Sequence, residues 1–298
     1  MRPVLMPTKL SHLLTRRDHD LLEALDWSPF TARQLLKLSA AWDQKFGSLR
    51  SVRERAQVLT ALKLIRTFRY AALYPGQPEN YYVHSRSGFQ LLYGADASLS
   101  GTGQFEEIAI SRHAHTRALA EFLVHTRVAA HASGINMTGF HRENTLRLEH
   151  DGQSLYPDAT FLLVASDANA YRFFVEIDCG SERLRSDVAA RSWQRKARIY
   201  CGVQDKFAND RFRVLVIAAQ GSKERLSNIL ATCAEKQRVE ERTLFCGTTL
   251  HGYLASFPSV RTPVFIDHRG RSQALVPAAT DRSGSVDSRA NLHKAKIA

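Results

Sequence analysis

The chain has 298 residues, enough for one large or two ordinary domains, and its 44% hydrophobic and 23% charged content is that of a globular protein rather than a disordered one. A formal charge of +12 argues for a polyanionic partner, either nucleic acid or an anionic membrane. No run of about 18 apolar residues argues for a membrane span, residues 1–10 lack an apolar signal core, and Cys179, Cys201, Cys233 and Cys246 lie too far apart for a zinc site or disulfide framework, so a reducing, cytoplasmic setting is expected.

Residues 11–94 read as one unit. Thr15 and Asp18 offer a capping pair ahead of Leu21, Leu22 and Leu25 at helical spacing, and Ser28-Pro29 ends that helix. Thr31 caps a second, short helix carrying Leu35, Leu36 and Leu38. Ser48 opens a third, running to Lys63, with Val52, Ala56, Leu59 and Leu62 on one face and Arg50, Arg53, Arg55 and Lys63 on the other. Two strands follow, Leu64 to Leu73 and Asn80 to His84, joined by the turn Tyr74-Pro-Gly-Gln-Pro. Three helices and a β-hairpin are the order of a winged helix-turn-helix. In that fold the basic face of the third helix meets double-stranded DNA, so Arg50, Arg53, Arg55 and Lys63 are the candidate contacts.

The Gly/Ser-rich stretch after Gly94 predicts a linker over 95–110, followed by a second domain over 111–271. Its expected elements are a long helix from Ser111 to Ala132, a strand near Thr145 to Glu149, and a hairpin of Ala159–Ala165 with Tyr171–Val175. A helix from about Leu184 to Val203, an apolar strand Phe212–Ala219 and a helix through Leu226, Ile229 and Leu230 complete it. The run Val214–Ala218 predicts a strand buried on both faces, hence an α/β sandwich with a central mixed sheet. Polar composition from Ser272 predicts a disordered basic tail over 272–298.

The chemistry concentrates in Tyr156-Pro-Asp158 and Phe174-Val-Glu176-Ile-Asp178. The hairpin brings these acids to one end of a sheet, and clustered carboxylates suit a hard cation such as Mg²⁺. Trp193, Lys196 and Tyr200 fall at i, i+3 and i+7, one face of a helix, which points Lys196 inward beside the acids. Glu121 is expected as an exposed glutamate. His113, His115 and His125 are expected as surface histidines, and Glu182 as an acid placed for the dipole of the next helix.

The helix–three strands–helix–strand order, with acids in the hairpin, resembles the PD-(D/E)xK nuclease superfamily. The fuller pattern runs from a winged helix through Pro157-Asp-Ala, Phe174-Val-Glu-Ile-Asp-Cys-Gly-Ser-Glu182, Trp193-Gln-Arg-Lys196 and Tyr200, and it resembles the replication-relaxation family of plasmids and integrative elements. The resemblance implies Asp158 and Glu176 as metal ligands, with a backbone carbonyl from Ile177 and Mg²⁺ as cofactor in an active enzyme. It also implies replication or relaxosome proteins as partners. One departure matters. The nuclease lysine is expected at position 178, where this chain has Asp178. Asp178 is then an extra metal ligand, and Lys196 the candidate replacement on the following helix. Three functions compete: a DNA-binding protein of a mobile element with an inactive nuclease-like domain, an active Mg²⁺-dependent endonuclease, and a winged-helix transcriptional regulator.

Overall fold

The computed structural model describes residues 14–71, 78–97, 102–167, 169–186, 192–206, 211–220, 222–237 and 243–277. The expected hairpin turn after Leu73 and all but the first residues of the expected tail lie outside them. The N-terminal unit runs α1 (Arg16–Trp27), β1 (Phe30–Thr31), α2 (Ala32–Leu38), α3 (Leu49–Ala61), β2 (Ile65–Arg69) and β3 (Asn80–His84). The strands form an antiparallel sheet in the order β1-β3-β2. Leu21, Leu22, Leu25, Leu35, Val52 and Leu59 bury against Phe30 and Ile65, the apolar faces read from helical spacing. A short helix, α4 (Arg86–Tyr93), follows β3 and was not expected; Ser85 caps it by accepting from Gly88 N–H at 3.0 Å.

Asp18 ties α1 to α3. Its carboxylate accepts from Thr15 N–H and Oγ1 at 2.5 and 2.8 Å, closing the first turn of α1, and from Arg55 Nε and Nη2 at 2.5 Å each. Burial pushes this carboxyl up, but the hydrogen bonds from Arg55 and Thr15 outweigh it and hold the group below its ordinary value. That contribution to stability is present above the unfolded carboxylate value and is lost as pH falls from there through the group's lower folded value. Arg55→Ala is therefore expected to lower the unfolding free energy by about 3 kcal/mol, because it takes the cation from a fully buried carboxylate and leaves it the Thr15 hydrogen bonds. Arg53→Ala, on the exposed face of α3, is expected to leave it unchanged. Urea denaturation of the two variants distinguishes the structural arginine from the surface one.

The second unit contains α5 (His113–Ala132), β4 (Asn136–Arg142), β5 (Leu148–His150), β6 (Gln153–Leu155), β7 (Ala159–Val164), β8 (Ala170–Asp178), α6 (Trp193–Lys206), β9 (Phe212–Ala218), α7 (Lys223–Ala234), β10 (Phe245–Thr249), α8 (Leu250–Leu254), β11 (Phe265–Ile266) and β12 (Ser272–Gln273). Seven strands form one mixed sheet in the order β12-β11-β10-β9-β8-β7-β4. β4, β7 and β8 are antiparallel, and β8, β9 and β10 are parallel. α5 covers one face, packing Leu119, Phe122 and Leu123 on Phe161, Phe173, Val175 and Ile177. α6 and α7 cover the other, against Phe174, Val214 and Val216. The chain is thus a mixed α/β protein with its large sheet buried on both faces.

Several boundaries differ from expectation. β4 was missed because Asn136-Met-Thr-Gly-Phe-His-Arg is a polar edge strand, with a register shift between Thr138 and His141. The strand expected near Thr145 to Glu149 is instead β5, which pairs only with β6, outside the main sheet. The helix expected from Leu184 begins at Trp193. The tail expected from Ser272 opens as ordered structure: β12 pairs with β11, and Leu275 and Val276 are buried in the core. The end of the predicted linker is also bound. Phe105 is buried, and Ile108 N–H donates to Tyr81 at 3.0 Å. No helix among the described residues is long and apolar enough to cross a membrane.

Candidate functional site

Strand alternation sets the site. Along β8, Phe173, Val175 and Ile177 face α5, so Phe174, Glu176 and Asp178 face α6 and α7. Asp158 immediately precedes β7, whose first residue Ala159 is paired with Val175. This places Asp158 beside Glu176 at one end of the sheet, close enough for the Asp158 charge to act on Glu176.

Lys196 reaches that end from α6. Its ammonium donates to Glu176 Oε2 at 2.8 Å and lies 2.7 Å from Glu182 Oε2, with the Trp193 ring 4.8 Å away. Tyr200, one turn further along, donates its hydroxyl to the other Glu176 oxygen at 2.6 Å. Both oxygens of a fully buried carboxylate are therefore engaged. Burial pushes the Glu176 carboxyl up to about 7; Lys196 opposes this and the Asp158 charge adds to it. Burial also disfavours the Lys196 charge, but Glu176, Glu182 and Asp158 together hold the ammonium protonated, above its ordinary value. Glu182 was expected to serve only the helix dipole. It is instead the second carboxylate of the Lys196 cation.

Asp178 has a separate set of partners. Arg225 of α7 grips it bidentately, with Nε 2.6 Å from Oδ2 and Nη2 2.8 Å from Oδ1, and Trp193 Nε1 lies 3.4 Å from Oδ1. The same Nη2 donates to the Glu182 carbonyl at 2.8 Å. The expectation of Asp178 as a spare metal ligand meets a carboxylate already neutralised by an arginine fork.

Asp158 looks toward α5. Its Oδ2 accepts from Ile177 N–H at 2.7 Å and lies 3.1 Å from His115 Nε2. Ile177 thus meets Asp158 through its amide, where its carbonyl was the expected participant. Burial pushes the Asp158 carboxyl up, but His115, Lys196 and the Ile177 amide hold it below the ordinary value. Burial likewise disfavours the His115 charge, and Asp158 more than compensates, raising the imidazole.

The oxygen set implied for Mg²⁺ fits poorly. Asp158, Glu176 and Asp178 each spend their charge on a different internal cation, whereas Mg²⁺ demands open, near-octahedral oxygen coordination.

Of the expected DNA contacts, Arg50 and Arg53 stand exposed on one face of α3, and Lys63 is exposed just past its end. Arg50 also pairs with Glu54 one turn on, at 2.7 Å. Arg55 departs from the expectation: it flanks the buried stripe and is spent on Asp18. The three histidines are not scattered over the surface. His113 is buried, its Nδ1 accepting from Ala71 N–H at 2.9 Å, and His125 Nε2 lies 2.8 Å from the Ser256 carbonyl. Glu121 is half-buried and joins α5 to α2 through Gln34 at 3.1 Å and Lys37 at 3.7 Å.

No curated protein and no solved structure matches the chain. A family model does, over residues 25–210, which takes in most of the N-terminal unit together with Asp158, Glu176, Lys196 and Tyr200. With well over half its length matched, the chain belongs to the replication-relaxation family.

Proposed function

We propose that the protein is a DNA-binding factor of a plasmid or integrative mobile element, acting in its replication or relaxation, with a nuclease-like domain that does not cleave. The N-terminal unit is read as a winged helix that presents α3 to the major groove, with Arg50 and Arg53 on phosphates or base edges. Its order of helix, strand, two helices and two strands supports this reading. So does the exposure of both arginines, in a chain of net charge +12.

The observation that carries the inactive reading is the engagement of both Glu176 oxygens. A carboxylate bonded by Lys196 on one oxygen and Tyr200 on the other has little left for a metal. The competing reading, an active Mg²⁺-dependent endonuclease, draws support from the same lysine, which reaches the acids from α6 and has the charge to polarise a water. Incubation of supercoiled plasmid with Mg²⁺ or Mn²⁺ separates them. Wild type and Asp158→Ala are expected to leave the plasmid equally intact; nicking by wild type that Asp158→Ala abolishes would establish the endonuclease.

Duplex binding is tested separately by fluorescence anisotropy across a salt series. The Arg50→Ala/Arg53→Ala pair is expected to bind more weakly, and the slope of log affinity on log salt is expected to fall by up to about 2. An unchanged affinity and slope would remove α3 from the DNA contact.

A further inference from the structure

Asp158 has two neighbours that the nuclease comparison does not use. Among the described residues, His115, Glu143 and Asp158 form a group of three whose ligand atoms all lie within 4.8 Å of one another. They come from three separate pieces of chain: the first turn of α5, the residue after β4, and the residue before β7. His115 lies within α5, and Glu143 and Asp158 each directly adjoin a strand of the large sheet, so the group is anchored close to regular structure. The Ile177 amide donates to Oδ2 of Asp158, the oxygen that faces His115, and fixes that carboxylate as a supporting hydrogen bond does for a metal ligand. All three side chains keep some exposure, 20% for His115, 13% for Asp158 and 26% for Glu143, so an ion can enter from solvent.

We infer that His115, Glu143 and Asp158 form a binding site for a divalent first-row transition metal such as Mn²⁺ or Zn²⁺. One imidazole and two carboxylates suit those ions better than Mg²⁺, which prefers oxygen alone. His115 pairs with Asp158, and Arg112 with Glu143. A bound ion replaces the first contact and shares Glu143 with the second. The site uses one acid of the nuclease-like cluster and neither Glu176 nor Asp178, so it stands whether or not the protein cleaves DNA.

The test is titration of the full chain with Mn²⁺, following loss of the free-ion electron paramagnetic resonance signal, and with Zn²⁺ by calorimetry. Wild type is expected to take up one ion per chain and to show a raised melting temperature with Mn²⁺ or Zn²⁺ but little change with equimolar Mg²⁺. His115→Ala and Glu143→Gln, both at partly exposed positions, are each expected to weaken binding at least tenfold while keeping the wild-type circular dichroism. Glu176→Gln is expected to leave Mn²⁺ affinity unchanged. Absence of uptake by wild type at millimolar Mn²⁺ and Zn²⁺ would overturn the site. So would binding that survives His115→Ala and disappears in Glu176→Gln, which would place the ion at the nuclease-like acids. Plasmid cleavage is read independently: nicking by wild type would end the inactive reading and leave this site standing.

Discussion

Lys196→Met is expected to be among the most damaging single changes in the molecule, lowering the unfolding free energy by roughly 3–5 kcal/mol. The side chain it removes is the shared cation of Glu176 and Glu182, and Glu176 is 1% exposed. Methionine fills much the same volume and supplies no charge, so the loss is electrostatic rather than a cavity. The variant's pH dependence should identify the cause. A carboxyl whose folded value lies above its unfolded one binds its proton more tightly in the folded state. Its folded state therefore gains stability as pH falls from the folded value toward the unfolded one. Glu176 already stands at about 7 against an ordinary 4.5. Without Lys196 the shift grows, so the variant should recover part of its lost stability between pH 7 and pH 5, by more than wild type gains there. Urea denaturation at both pH values checks this. An equal loss at both would mean that the lysine acts through something other than the Glu176 charge, such as its ammonium over the Trp193 ring.

The placement of Lys196 was legible because helical spacing is local. Trp193, Lys196 and Tyr200 share one face of any helix, and two aromatics on that face must find a core. The acids of β8 were legible for a similar reason, since Glu176 and Asp178 are two apart on an apolar strand and so share one side of the sheet. Their partners were not. Arg225 sits on α7, nearly fifty residues from Asp178, and nothing around it in the sequence distinguishes it from any helix-opening arginine. Glu143 meets Asp158 because β4 lies next to β7, and His115 because α5 packs across that face of the sheet, and β4 is a polar edge strand that carries little periodic signal.

The basic face of α3 shows where angular position, rather than residue type, decides a role. Arg50 lies opposite the buried stripe of Val52, Ala56 and Leu59 and Arg53 about a right angle away on one flank, whereas Arg55 is three or four residues from Val52 and Leu59 and borders the stripe on the other flank, where Asp18 meets it. A helical projection of residues 49–61 separates the two kinds of arginine; counting basic residues does not. The tail carries a similar signal. Leu275-Val276 is an apolar pair within a polar stretch, and the structure buries both.

Arg225→Ala is expected to cost a comparable 3–5 kcal/mol, because Asp178 is fully buried and would lose its bidentate partner, with Trp193 Nε1 at 3.4 Å as its remaining side-chain neighbour among the described residues. Arg225→Lys should fall between the two. It keeps the charge but not the planar fork that reaches both Asp178 oxygens and the Glu182 carbonyl at once. Position 178 is where the nuclease comparison expects a lysine, and Asp178→Lys is the obvious attempt to restore one. It should fail. The new ammonium would stand against the Arg225 guanidinium in a buried site, two cations where there was an ion pair, and the protein should unfold well below the wild-type temperature. Combining Asp178→Leu with Arg225→Met removes both charges, and this pair should recover most of the stability lost by Arg225→Ala. Thermal denaturation of the four variants completes the comparison. If Asp178→Lys were instead as stable as wild type and cleaved plasmid, Asp178 would be a lost catalytic position rather than a clamp between β8 and α7.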